Sequence, residues 1–195
     1  MKHAFYTLLA MIICLSACSK KDNQFIIKGT TTQSRLNGQR VFLVPYSFSN
    51  PNYEDSIGVD SVVIENNQFE FRGKGEYLAR VTMDTKVRYG TQDILIVTEA
   101  GEITVLIDST SHCGGTPQNE VMEQWKNMKI QHDAIIGPKN VELVHMLQSG
   151  DTTKVPLLRD SLRTFNAEFT KEMLKIVRPL GKGTAYDLLM KMYSE

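Results

Sequence analysis

The hydrophobic pattern changes period once, at Gly114-Gly115, and that switch limits the folds open to the chain. Upstream, apolar residues come in short bursts or in alternation, over residues 25–27, 40–44, 62–64, 69–71, 77–81, 94–97 and 103–107. Along residues 68–72 the alternation is complete, so Phe69 and Phe71 face a core while Gln68, Glu70 and Arg72 face water. The polar stretch 29–39 reads as a long hairpin connection. Asn66-Asn67 reads as a tight hairpin turn, because Asn is the non-glycine residue that best tolerates positive φ. Residues 94–97 are expected to pair with 103–107 across Glu99-Ala100-Gly101-Glu102. Seven or so strands without crossover helices argue for an antiparallel sandwich or partly open barrel rather than a parallel sheet.

Downstream the spacing becomes three and four. Thr116 can cap a helix opened by Pro117, whose missing N–H costs nothing there, and Val121, Trp125, Met128, His132 and Ile135 share one face. Gly137-Pro138 is expected to stop this helix, with a separate short turn over 141–147. A longer helix over about 153–177 carries the stripe Leu158, Leu162, Phe165, Phe169, Met173 and Ile176, and Pro179 ends it. Thr184-Ala185-Tyr186-Asp187 resembles a capping box opening a last helix. The fold class is therefore α+β, with an antiparallel β-sandwich-like domain over 24–115 followed by a helical region over 116–195 that packs with it. The stripes fit packing on each other and on the sheet better than a coiled coil, since no heptad lasts three or four repeats.

Charge narrows the partners. Twenty-two Lys and Arg balance 22 Asp and Glu, so no broad basic field is available for nucleic acid. With 42% hydrophobic residues the chain can build a core, and neither disorder nor a multi-span membrane protein fits.

The N-terminus states an address. Lys2-His3 precedes an apolar run over residues 4–15, about half the ~20 residues that span a bilayer, which marks a signal-peptide core over residues 1–17. It closes with Leu15-Ser16-Ala17-Cys18, which resembles the lipobox of bacterial lipoproteins at all four positions. The resemblance implies that Cys18 is acylated and becomes the first mature residue, with 18–23 as a lipidated tether. The partner implied is a membrane, held through the lipid on Cys18. Ser19 is not the acidic residue associated with inner-membrane retention, so the outer membrane is the expected location, with the face left open. Cys14 leaves with the signal, and Cys113 remains as a single thiol.

Catalytic constellations are hard to find. Thiol exchange needs a Cys-x-x-Cys pair, which does not occur. His112, Cys113, His132 and His145 lack the compact spacing of zinc ligands, and His132 fits a satisfied core histidine. Gly181-Lys182-Gly183-Thr184 has phosphate-loop composition without the upstream glycine or leading strand, and reads as a plain loop and cap. Glu65, Glu70, Glu99 and Glu102 read as a solvated face. Tyr46, Phe48 and Tyr53 lie in a Ser/Asn/Pro-rich stretch and form either a sugar- or protein-binding lip or a cover over the sandwich end.

Three stretches in order carry a wider resemblance: residues 60–73 (DSVVIENNQFEFRG), 99–105 (EAGEITV) and 115–119 (GTPQN). They resemble the landmarks of the family named domain of unknown function 4369, a lipoprotein-borne β module followed by helices and often by a thioredoxin-like domain of the peroxiredoxin class. Asn67 stands where that family often has Gly. The resemblance covers about residues 25–125 well and the helical remainder loosely, and a thioredoxin-like domain would need about 100–150 further residues, which implies either a stand-alone module or a chain short of that domain. The expected function is thus a non-catalytic binding or scaffolding lipoprotein with no cofactor and no metal. The alternative is an accessory to thiol-disulfide or peroxide chemistry whose thioredoxin-like domain lies on another chain. Envelope partners would be a thioredoxin-like protein or uptake machinery.

Overall fold

The computed structural model describes residues 23–48, 57–150 and 152–194. Its first part is two four-stranded sheets built from β1 (Gln24–Thr30), β2 (Arg40–Pro45), β3 (Asp60–Val63), β4 (Gln68–Lys74), β5 (Leu78–Met83), β6 (Ile94–Val97), β7 (Gly101–Leu106) and β8 (His112–Gly114). Sheet one has the order β4-β1-β7-β8 and sheet two β3-β2-β5-β6. Three helices follow: α1 (Pro117–Ser149), α2 (Val155–Val177) and α3 (Thr184–Tyr193). The α+β class stands, with one correction: β1 runs parallel to β7, so sheet one is mixed rather than antiparallel.

The inward residues of the two sheets make the core, with Ile27, Val41, Phe71, Val81, Ile96 and Ile103 all fully buried. Phe69 and Phe71 point in while Gln68, Glu70 and Arg72 point out, as the alternation requires. The β1–β4 pair adds a fit between rings and glycines. Phe25 lies opposite Gly73 and Phe69 opposite Gly29, and each ring covers its glycine so closely that a Cβ there would sit about 2 Å from it. Only glycine leaves room for these rings to lie flat across the neighbouring strand.

Two local pairings expected from sequence do not form. The 29–39 connection is no hairpin, because β1 and β2 belong to different sheets, and its Leu36 and Thr31 are buried. An apolar side chain in the linker can be buried only if the linker crosses the end of the sandwich. The tight turn at Asn66-Asn67 does form, with positive φ at both (51° and 62°) and Glu65 and Gln68 bonded to each other across it at 2.9 Å each way, although the strands it joins, β3 and β4, lie in different sheets. β6 pairs with β5, not β7. The unbroken apolar run Ile94-Leu95-Ile96-Val97 suits a strand covered on both faces, and the helical region supplies the second cover.

The free edge of β6 is closed by a side chain. Asn119, fully buried in the first turn of α1, accepts the Val97 N–H (2.9 Å) and donates to the Val97 carbonyl (2.8 Å), as a neighbouring strand would. Its amide also donates to the Thr116 hydroxyl at 2.8 Å. Thr116 occupies the N-cap position without a side-chain cap, because its hydroxyl is engaged there. Gly115 (φ 88°) makes the sharp entry possible, since a Cβ would meet the Glu102 carbonyl at 2.6 Å.

α1 corrects the expected stop at Gly137-Pro138: it continues to Ser149 with Pro138 inside, and 141–147 belongs to the same helix. Proline removes one hydrogen bond, to the carbonyl of Ala134, and Ala134, Gly137 and Pro138 are all exposed, so water can serve the freed carbonyl. Gly150 ends the helix in the left-handed region (φ 76°), and α2 returns along α1. At the far end of the sandwich, Arg35 donates to the carbonyls of Val87 (3.2 Å) and Tyr89, while Asp108 accepts from Thr32 and from Gln33 at 2.6 Å. These bonds tie the loop between β5 and β6, and the residues after β7, to the residues following β1.

Asn119→Ala removes both partners of the Val97 peptide groups, and leaving buried backbone groups unsatisfied costs about 2–4 kcal/mol. Urea unfolding should show a loss of that order.

Candidate binding groove

An apolar concavity with aromatic walls lies between the start of β5 and α3. Tyr46 extends the β2–β5 ladder by one rung, its N–H donating to the Leu78 carbonyl at 2.8 Å, which holds its ring over the sheet end. Phe48 meets that ring edge-on at 5.0 Å and remains 54% exposed. The Arg80 guanidinium carbon lies over the Tyr46 ring, 5.9 Å from its centre, and its buried Nε has no hydrogen-bond partner among the described residues. Tyr77 forms the floor, edge-on to Phe25 at 6.3 Å. The opposite wall is one face of α3, where Thr184, Leu188, Lys191 and Met192 recur at helical spacing. The open cleft has a volume of about 510 Å³, within the range of small-ligand clefts.

That helical wall is pinned by side chains from far away in sequence. The expected capping box is absent: Thr184 is the first helical residue and Gly183, at φ 112°, is the N-cap. Glycine has no side chain to satisfy the orphan N–H groups of the first turn. Glu76 accepts the Thr184 N–H at 2.8 Å and Gln118 accepts the Ala185 N–H at 2.8 Å. A Cβ on Gly183 would meet the Gln118 amide at 2.7 Å, so glycine is what lets that amide approach. Burial acts to raise the Glu76 carboxyl, but hydrogen bonds from Thr184 and Gln118 and the charge of Lys182 outweigh it and hold it below its ordinary value. The phosphate-loop composition of 181–184 therefore marks a helix start already occupied by the protein's own carboxylate.

The carboxylates do not form one class. Glu102 pairs with Lys28 (2.6 Å) and Glu70 with Arg72 (2.6 Å) on exposed strand faces, and Glu65 is exposed, as expected. Glu99 departs from that reading. It accepts the Gln118 N–H at 2.7 Å and the Gln118 side-chain amide at 3.3 Å, so it caps α1 and orients the amide that caps α3. The signal for this role, an acid before a turn glycine, is no different in sequence from any surface turn.

Cys113 sits at the strand-to-helix junction with its thiol 3.6 Å from the Asn119 carbonyl. Burial first, and then the Glu123 carboxylate, push this thiol up to about 12, so it stays protonated and lacks the thiolate that exchange chemistry needs. His112 points the other way, exposed, with Nδ1 2.7 Å from Glu123. Glu123 also accepts the Cys113 N–H (3.0 Å) and pairs with Lys126 (2.9 Å). Burial acts to raise Glu123, yet the bonds from Lys126, His112 and Cys113 bring it down to about 2. His132 stacks on Phe165 (5.4 Å) and Phe169 (4.1 Å) and lies 2.8 Å from the Asn166 side-chain oxygen, between α1 and α2. His145 is exposed further along α1. The structure does not bring these groups together, and among the described residues no cluster of three or more His, Cys, Asp or Glu side chains could hold a metal ion. No described helix is long and apolar enough to cross a membrane. Cys18, the signal segment before it and Tyr53 lie outside the described residues.

A carboxylate held low in the folded state stabilises it above the ordinary carboxylate range and ceases to do so as pH falls through the folded value. The Glu123 contribution, on the order of 2 kcal/mol once solvent screening is allowed for, should be complete above about pH 5 and vanish towards pH 2. In urea titrations the stability gap between wild type and Glu123→Gln should therefore close over that interval. A gap independent of pH would show that the side chain acts through packing alone.

A protein-family model described as Domain of unknown function (DUF4369) matches residues 25–122. No curated protein and no solved structure is detectably similar to the chain. The matched stretch takes in both sheets and the first turn of α1, including Gln118 and Asn119, while α2 and α3 fall after it.

Proposed function

We propose that this chain, which belongs to the DUF4369 family, is a lipid-anchored protein of the bacterial cell envelope that acts as a non-catalytic binding module through the groove at the β5–α3 end. The observation that carries the reading is the groove itself, a 510 Å³ cleft with Tyr46, Phe48 and Tyr77 on one side and Leu188 and Met192 on the other. Apolar walls with few polar groups suit an apolar ligand or segment, with Lys191 available to a negative end. A stable, pinned wall and an exposed aromatic rim are what a binding surface needs, whereas the buried, protonated Cys113 speaks against thiol exchange by this chain.

The anchor is Cys18, at the end of a lipobox-like run, with the outer membrane as its location. One acyl chain gives only marginal attachment at ~0.8 kcal/mol per methylene, so the two or three chains of a bacterial lipoprotein make release negligible. Cys18→Ser should leave the protein unprocessed or release it from the membrane fraction, and normal processing with continued membrane fractionation refutes lipidation. For the groove, a hydrophobic fluorescent probe titrated into the protein should bind with at least about five-fold lower affinity after Leu188→Ser, a loss of ~1 kcal/mol from one apolar contact. Unchanged binding removes the groove as the site.

A further inference from the structure

The position of the groove relative to the tether identifies what it faces. The Asn23 carbonyl accepts the Gly75 N–H at 2.9 Å, so the chain enters the body beside Gly75-Glu76-Tyr77, two residues of which line the groove. Phe25, the second residue of β1, touches Tyr77 directly. From Cys18 to Asn23 the chain spans five residue steps, and at ~3.5 Å per residue these cannot extend beyond about 18 Å however they are arranged. A body so tethered holds the groove end near the bilayer. β1 and β5 both run from this end to the other, where Tyr89 stands 91% exposed on the loop bound by Arg35.

The chemistry of the near end matches a lipid surface. Phe48 and Met192 are the exposed apolar side chains of the rim. Lys74 ends β4 opposite Gln24, Lys182 lies by Glu76, and Lys191 lines the groove. Of the acids at this end, Glu76 holds the start of α3, Glu99 the start of α1 and Glu102 pairs with Lys28, while Asp187 in the first turn of α3 is exposed. Lysines over an apolar rim can reach phosphate while their stems stay against lipid, which favours an anionic surface.

We infer that the groove-bearing end docks on the bilayer that holds the anchor, with Phe48 and Met192 in the interfacial layer and the groove taking the acyl chain of an anionic lipid. This rests on the anchor proposed above. The test uses full-length protein purified lipidated from membranes and reconstituted into phosphatidylglycerol/phosphatidylethanolamine vesicles with brominated acyl chains, which quench nearby indoles. Phe48→Trp reports the near end and Tyr89→Trp the far end, with wild type supplying the background of Trp125. We expect about two-fold quenching for Phe48→Trp, in keeping with a side chain roughly 5–10 Å into the headgroup boundary, and none above background for Tyr89→Trp. Flotation with the vesicles but no quenching of Phe48→Trp, or equal quenching of both variants, overturns the docking while the anchor stands. Failure to float overturns the anchor, and the docking with it.

Discussion

The amide of Asn119 bonded to both peptide groups of Val97 is the joint on which the molecule turns. It closes the exposed edge of β6 and at the same time places the first turn of α1, because one side chain satisfies a strand and belongs to a helix. From that turn the neighbouring Gln118 is aimed at the start of α3, while Glu99 receives its N–H from the loop between β6 and β7. The helical wall of the groove is thus oriented by hydrogen bonds that trace back to the sheet edge. Buried polar groups of this kind tolerate little displacement, since each unsatisfied donor or acceptor carries its full desolvation penalty.

What could be read from sequence was what depends on near neighbours. The alternation at Phe69 and Phe71, the positive φ of Asn66 and Asn67, and the change of period after Gly115 are local properties, and all reappear in the structure. Which strands pair was not legible, because that choice is made by burial on distant surfaces. Leu36 turns an apparent hairpin loop into a crossing, and the apolar run of β6 calls for helices on its outer face. The stop expected at Pro138 failed for a related reason: the proline penalty is set by the surroundings of the carbonyl it leaves free, and sequence does not show that this turn of the helix is exposed. Of the groove, Tyr46 and Phe48 were visible as an aromatic pair in a polar stretch. Its other wall was not, since nothing in the spacing of Leu188 and Met192 tells which sheet end α3 meets.

The family match and the groove overlap only in part. Tyr46, Phe48, Glu76 and Tyr77 lie within the matched residues, and so do the two side chains that hold α3 in place; α3 itself lies beyond them. The sandwich end therefore comes with a docking position for a helix, and the chemistry offered by the groove depends on which residues that helix carries. The buried thiol of Cys113 belongs to the same junction and fills space against the Asn119 backbone.

The parallel pairing of β1 with β7 bears on how the fold is reached. β1 is an interior strand of sheet one, and its register with β7 joins Phe25 to Gly101 across 76 positions of chain. Closing so long a loop costs entropy before any contact returns it, and high contact order slows folding. The other neighbour of β1, β4, arrives only at residue 68. β1 is therefore left without either partner while some forty residues follow, and the sandwich cannot close until β7, which ends at Leu106, is available, so the nascent β region stays open and threadable until then.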